Sequence, residues 1–150
     1  THMIIIGRND KADFPELNLK SINIKVDTGA FTSSIHSCEV KEIELNGEKY
    51  IEFKLLDPLH LKYNNKIFKV KNYKVKDIKS SFGNIEQRFI IETIIKIFDQ
   101  EYPIELSLSE RSDMTFPILI GRKFLNKRFV VNTSLQNLSN KLKQKKKKNI

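Results

Sequence analysis

Cysteine is almost missing from this chain: Cys38 stands alone among 150 residues. One thiol cannot build a disulfide framework, and it cannot supply a four-cysteine zinc site. The sequence has no His-Glu-x-x-His pattern and no Gly-x-x-x-x-Gly-Lys-Ser/Thr loop, so the common zinc-hydrolase and phosphate-cradling signatures are both absent. Long apolar runs are missing as well. The best candidate, Phe89 to Phe98, is broken by Glu92, Thr93 and Lys96 and falls short of the roughly 18 residues a membrane helix needs. Met3 to Ile6 is too short for the apolar core of a secretory signal. Thr1-His2-Met3 reads as a remnant of cloning, with Met3 as the expected native start and the cytoplasm as the expected compartment.

What remains is charge and β-forming residues. Net charge is +9, from 27 basic and 18 acidic residues, and six of the lysines crowd into Lys141 to Lys148. A block of like charge repels itself and buries nothing, so residues 136–150 read as a basic, disordered tail on a single domain over 3–135. A solvated end is the plainer reading of that tail. An electrostatic tether for RNA or an acidic peptide is the other. No aromatic residue interleaves with the lysines to stack on bases, so a nucleic-acid partner is not expected.

Ile, Val, Phe and Tyr are frequent and Ala is scarce, which favours strands. Ile22 to Val26 reads as a strand entering Asp27-Thr28-Gly29. Val40 to Leu45 and Lys49 to Leu55 alternate about Asn46-Gly47, the strongest short hairpin signal. Ile67 to Ile78 alternates with a break near Asn72. Arg88 to Phe98 fits helix or strand, and its β-branched content tips it to strand. A turn at Asp99-Gln100 then leads to Tyr102 to Leu108, with Pro103 suggesting an edge position. Phe116 to Ile120 reads as a strand into Gly121, Arg122 to Asn126 as a brief helical turn, and Phe129 to Val131 as a last strand. Many short strands between turn signals predict an all-β, closed or folded-over structure.

Two segments carry chemistry: Val26-Asp27-Thr28-Gly29-Ala30, and Phe116-Pro117-Ile118-Leu119-Ile120-Gly121-Arg122-Lys123. Alone, an Asp-Thr-Gly triplet is also an ordinary Asx-type turn. Together, in this order in a β-rich chain, the two segments resemble the retropepsin-like aspartic peptidases. A closer resemblance runs from about Ile6 to Thr133. It rests on Asp27 to Ala30, Thr32-Ser33, His36, Arg88, Tyr102 to Leu108, Arg111 with Met114, Pro117 to Arg122, and Phe129 to Val131. These are similar to the family known as ATP-dependent zinc proteases, a retropepsin-like group found beside or fused to RimK-type glutamate ligases.

The resemblance implies a retropepsin-like acid-protease barrel with one short helix. It makes Asp27 the catalytic aspartate, supported by Thr28, Gly29, Ala30, Gly121 and Arg122. Two adjacent carboxylates cannot both ionise, so they share a proton, one activating water and the other acting as acid. Asp10, Asp13, Asp57, Asp77, Asp99 and Asp113 lack a following Thr-Gly, so the second carboxylate must come from another copy across a two-fold axis.

The expected partners are a second copy, a peptide or protein-tail substrate (glutamate-rich by analogy with the ligase association), and a RimK-type ligase. No cofactor and no metal are expected, although His36 and Cys38 lie two apart on a strand and His60 is the other histidine of the body. The chain departs from the family in having Phe31 where an arginine is usual, Val131-Asn132-Thr133 where Val-Asp-Pro is frequent, and no Trp near Arg8. Neither Phe31 nor Thr32 can serve as the acidic partner that retroviral relatives offer the Gly-Arg arginine. Phe31, His36 and Arg111 are left as substrate-contacting or structural residues. No Gly-rich flap is present, and Asn46-Gly47 and Ser80 to Asn84 are both candidate covers. A non-catalytic peptide-binding or dimerisation module is the alternative reading.

Overall fold

Strands with apolar residues on alternate positions have one face to bury, and a sheet that curls back on itself buries it. A computed structural model describes residues 2–79, 83–110 and 115–148 of the chain. In order they form β1 (Ile4–Ile6), β2 (Asn9–Phe14), a 3-10 turn (Pro15–Leu17), β3 (Leu19–Val26), β4 (Ser33–Leu45), β5 (Glu48–Leu55), β6 (Ile67–Val70), β7 (Tyr73–Lys79), β8 (Ile85–Ile97), β9 (Gln100–Ser109), β10 (Ile118–Ile120), α1 (Arg122–Leu125), β11 (Phe129–Val131) and α2 (Leu138–Lys148). The fold is all-β, as the composition predicts.

β10 closes the structure. It pairs in parallel with β3, Ile118 opposite Ile24 and Ile120 opposite Val26, and antiparallel with β4, Ile118 opposite Ile35. The path β10-β3-β2-β8-β9-β4 therefore returns to β10 as a barrel. β5 and β6 extend the sheet from β4, and β7 lies on β8. β1 and β11 form a separate parallel pair. Phe14, Ile22, Ile24, Ile35, Ile91, Ile95, Leu106, Ile118 and Ile120 fill the interior, all at 1% exposure or less. Each such side chain contributes about 1.5–3 kcal/mol relative to exposure.

The Asn46-Gly47 hairpin forms between β4 and β5, with both turn residues in the left-handed region (φ 54° and 79°). The hairpin between β8 and β9 turns one residue earlier than the sequence predicts, at Phe98 (φ 52°) and Asp99 (φ 60°). A left-handed Phe costs about 1–2 kcal/mol. Two contacts offset it: the Phe98 ring lies 5.9 Å from Phe129, and its amide donates to Ser139 Oγ at 2.8 Å. Pro103 sits in the half of β9 that pairs with β8 alone, where a missing ladder donor costs least.

The tail differs from the expectation of disorder. Leu138–Lys148 is a helix, and its start is docked on the barrel. Asp10, buried on β2, accepts the amides of Ser139 (2.8 Å) and Asn140 (3.0 Å), so a carboxylate distant in sequence caps the helix. Burial pushes the Asp10 carboxyl up, against those amides, the Lys11 amide and Lys141. The cationic C-terminal end also suits the helix dipole. Among the described residues no helix is long and apolar enough to cross a membrane.

Glu105 on β9 ties together two further elements: it accepts Lys123 of α1, and Lys74 of β7 at 2.8 Å. The bonds from Lys123 and Lys74 hold its carboxyl below the usual glutamate range, against burial.

Asp10→Ala should strip the α2 amides of their acceptor and cost about 1–2 kcal/mol, seen as a thermal midpoint lower by roughly 2–8 °C and a loss of far-UV helical signal with the strand signal kept. Glu105 has a lowered folded pKa, so its stabilisation is present above the ordinary glutamate range and lost as pH falls from there through the lowered folded value. Thermal midpoints measured from about pH 6 to pH 3 should therefore fall more for the wild type than for Glu105→Gln.

Candidate active site

β3 ends where β10 ends, and this shared end fixes the Asp27 loop. The Asp27 amide donates to Ile120 O at 2.9 Å. Asp27 then folds the chain beneath itself: Oδ1 accepts the Gly29 amide at 3.1 Å, and its carbonyl accepts the Ala30 amide at 3.2 Å. This is an Asx turn, which presents a half-buried carboxylate on a fixed backbone.

The second segment grips the loop from the other side. α1 has no side-chain cap. Its leading amides instead find loop carbonyls, Arg122 N to Ala30 O and Lys123 N to Phe31 O, both at 2.9 Å. The Gly121 amide donates to the buried Ser33 Oγ at 2.9 Å. At Gly121 a Cβ would stand 2.6 Å from Phe31 O, so only glycine lets the two backbones pass. Arg122 Nη1 donates to Thr28 O at 2.9 Å, and its guanidinium carbon lies 5.8 Å from the Phe31 ring centroid. With no acid following the Asp-Thr-Gly-Ala run, the arginine bonds a loop carbonyl and packs on an aromatic ring. The Phe31 ring is 51% exposed.

Asp27, Thr28, Gly29, Ala30, Phe31, Gly121 and Arg122 are thus brought to one place. His36 is not among them. It is buried on β4, with Nε2 2.8 Å from Asp57 Oδ2. Burial pushes the Asp57 carboxyl up, but the Leu59 amide and His36 outweigh it and hold it low. His60 Nδ1 accepts the Lys62 amide at 3.0 Å. Burial and Lys62 push the His60 pKa down. Cys38 is a half-buried free thiol whose pKa burial raises. Among the described residues no group of three or more His, Cys, Asp and Glu is placed to hold a metal ion. Arg88 is on β8, with Nη2 4.0 Å from Glu86. Arg111 and Met114 lie outside the described residues, as does Ser80-Ser81-Phe82 of one candidate cover.

Sequence reasoning missed Asp57, Lys123 and Glu105. Each acts through a partner remote in sequence, and no local spacing marks such a pair. A cavity of about 260 Å³ beside the loop is lined in part by Thr32, Glu105, Lys123 and Arg128.

Comparison with known proteins agrees with this geometry. The family model for the retropepsin-like aspartic endopeptidase RimB matches residues 5–142. A probable alpha-L-glutamate ligase of Desulfotalea psychrophila is 36% identical over 133 residues, covering 88% of this chain and 28% of the relative. One from Shewanella halifaxensis is 34% identical over 136 residues, covering 87% and 28%. The chain thus spans little more than a quarter of the curated relatives it matches. A crystal structure of a Legionella pneumophila protein of unknown function superposes with a TM-score of 0.70 at 26% identity, covering 91% of this chain and 98% of that one. The zinc of the resemblance drawn from sequence finds no support, because the matching family is described as aspartic. The chain belongs to the RimB-like family of retropepsin-like aspartic endopeptidases.

Proposed function

We propose that this chain is an aspartic-type endopeptidase that works in the cytoplasm as a homodimer. Asp27 from each subunit forms the catalytic pair. The observation that carries the reading is the Asp27 loop itself, a carboxylate held by its own Asx turn and clamped by the Gly121-Arg122 turn on a barrel of the matching family.

Two such carboxylates in contact share one proton, because joint ionisation is repelled. The ionised member takes a proton from water, and the protonated member gives its proton to the carbonyl oxygen or the leaving amine. The apparent pKa values belong to the pair. Thr28 and Gly29 shape the backbone around the carboxylate, and Arg122 stiffens it through Thr28 O. The names of the relatives, probable alpha-L-glutamate ligases, support an acidic or glutamate-rich peptide as substrate and association with a RimK-type ligase.

A second reading rests on Phe31, which stands exposed at the position where the resemblance leads one to expect arginine. It makes the scaffold a non-catalytic peptide-binding or dimerisation module.

Asp27→Asn separates the two readings. Cleavage of glutamate-rich peptides should fall by at least about a thousandfold, with peptide affinity and sedimentation as a dimer retained. Wild-type protein that binds peptide and never cleaves it points to the module, and a strictly monomeric protein that cleaves defeats the shared pair. Gly121→Ala, which forces a methyl group against Phe31 O, should lose about 1–3 kcal/mol of stability together with turnover.

A further inference from the structure

An acidic substrate meets an obstacle at this site. The Asp27 pair carries negative charge, and a glutamate side chain drawn in beside it is repelled unless a cation stands close by. Two cationic residues bond the 27–31 loop, Lys123 and Arg122, and they are not equivalent. The Lys123 ammonium is neutralised by Glu105, which also accepts Lys74 at 2.8 Å. Arg122 is exposed and forms no ion pair with Asp27 or any other acid among the described residues.

The seat of Arg122 suits a carboxylate ligand. Nη1 donates at 2.9 Å to the carbonyl of Thr28, the residue that follows Asp27. The Phe31 ring centroid lies 5.8 Å from the guanidinium carbon. Carbonyl and ring together restrict a long side chain, so less rotamer freedom is lost when a ligand arrives. A guanidinium presents its N–H donors as a rigid fork that grips a carboxylate through two parallel bonds. Thr28 O takes one donor, and the others have no acceptor among the described residues.

The remaining arginines that lack an acid are committed elsewhere. Arg8 donates to Thr133 O and Gln136 Oε1. Arg128 donates to Phe124 O and lies on the rings of Tyr102 and Phe124. Neither side chain bonds the 27–31 loop among the described residues. We propose, in a step that rests on the endopeptidase reading of this site, that Arg122 seated on Phe31 takes the carboxylate of a substrate glutamate near the scissile bond and so selects acidic over neutral peptide.

Two matched peptides test this, one rich in glutamate and the same peptide with glutamine at every glutamate. The wild type should cleave the first with kcat/KM about tenfold or more above the second. Arg122→Gln removes the charge and keeps an amide that can donate to Thr28 O. It should lower kcat/KM for the glutamate peptide about tenfold or more, chiefly through KM, and bring the two peptides near parity. Arg122→Lys keeps the charge without the fork and should fall between. Phe31→Leu removes the ring and should cost about two- to fivefold on the glutamate peptide alone. A loss equal for both peptides overturns the proposal, because a merely structural arginine behaves that way, and so does a preference that survives Arg122→Gln. Dissociation of the Arg122→Gln dimer in sedimentation assigns the arginine's partner to the second copy and overturns it too. If Arg122→Gln does not fold, Arg122→Lys and Phe31→Leu decide by the same ratio.

Fluorescence anisotropy of both peptides on Asp27→Asn, with and without Arg122→Gln, separates this inference from the cleavage reading. Wild type that cleaves neither peptide, with Asp27→Asn binding the glutamate peptide about tenfold tighter only while Arg122 is present, defeats the endopeptidase and keeps the carboxylate site. Glutamate-peptide binding that is absent from Asp27→Asn, or indifferent to Arg122→Gln, defeats the carboxylate site.

Discussion

The structure depends on one backbone clasp. Residues 27–31 and 120–123 exchange hydrogen bonds in both directions, Asp27 N to Ile120 O one way, and Arg122 N and Lys123 N to Ala30 O and Phe31 O the other. The same few residues close the barrel, because β10 is the strand that meets both β3 and β4. Barrel closure and presentation of Asp27 are therefore a single event. The clasp satisfies the leading amides of α1, a helix too short and uncapped to persist alone. Gly121 makes the approach possible by having no side chain.

Around this centre, one buried and two partly buried carboxylates hold outlying elements in place. Asp10 caps α2, Asp57 holds the buried His36, and Glu105 joins α1 to β7. These are more consequential than exposed pairs such as Lys71 with Glu48, because a partly buried carboxylate left without its donors carries its desolvation cost uncompensated. Phe129 plays the matching apolar part, its ring lying 5.5 to 5.9 Å from those of Phe98, Tyr102 and Phe124.

The departures from the family pattern become intelligible at the site. Where retroviral relatives are expected to oppose the Gly-Arg arginine with an acid, this chain gives Arg122 a carbonyl and an aromatic ring. The backbone role of the arginine is kept, and its positive charge has no acidic counterpart within ion-pair distance among the described residues.

The sequence by itself determined the β class, the Asn46-Gly47 hairpin and the Asp27 loop, because each is written in local residues: alternation of period two, a left-handed turn pair and an Asx turn. It could not determine the partners of His36 and Arg122, the Phe98-Asp99 turn or the state of the tail. Those outcomes rest on contacts between distant segments, Asp10 with Ser139, Phe98 with Phe129, His36 with Asp57. A run of lysines reads as self-repelling until a carboxylate more than a hundred residues away supplies its helix with a cap, and only the folded barrel brings that carboxylate to it.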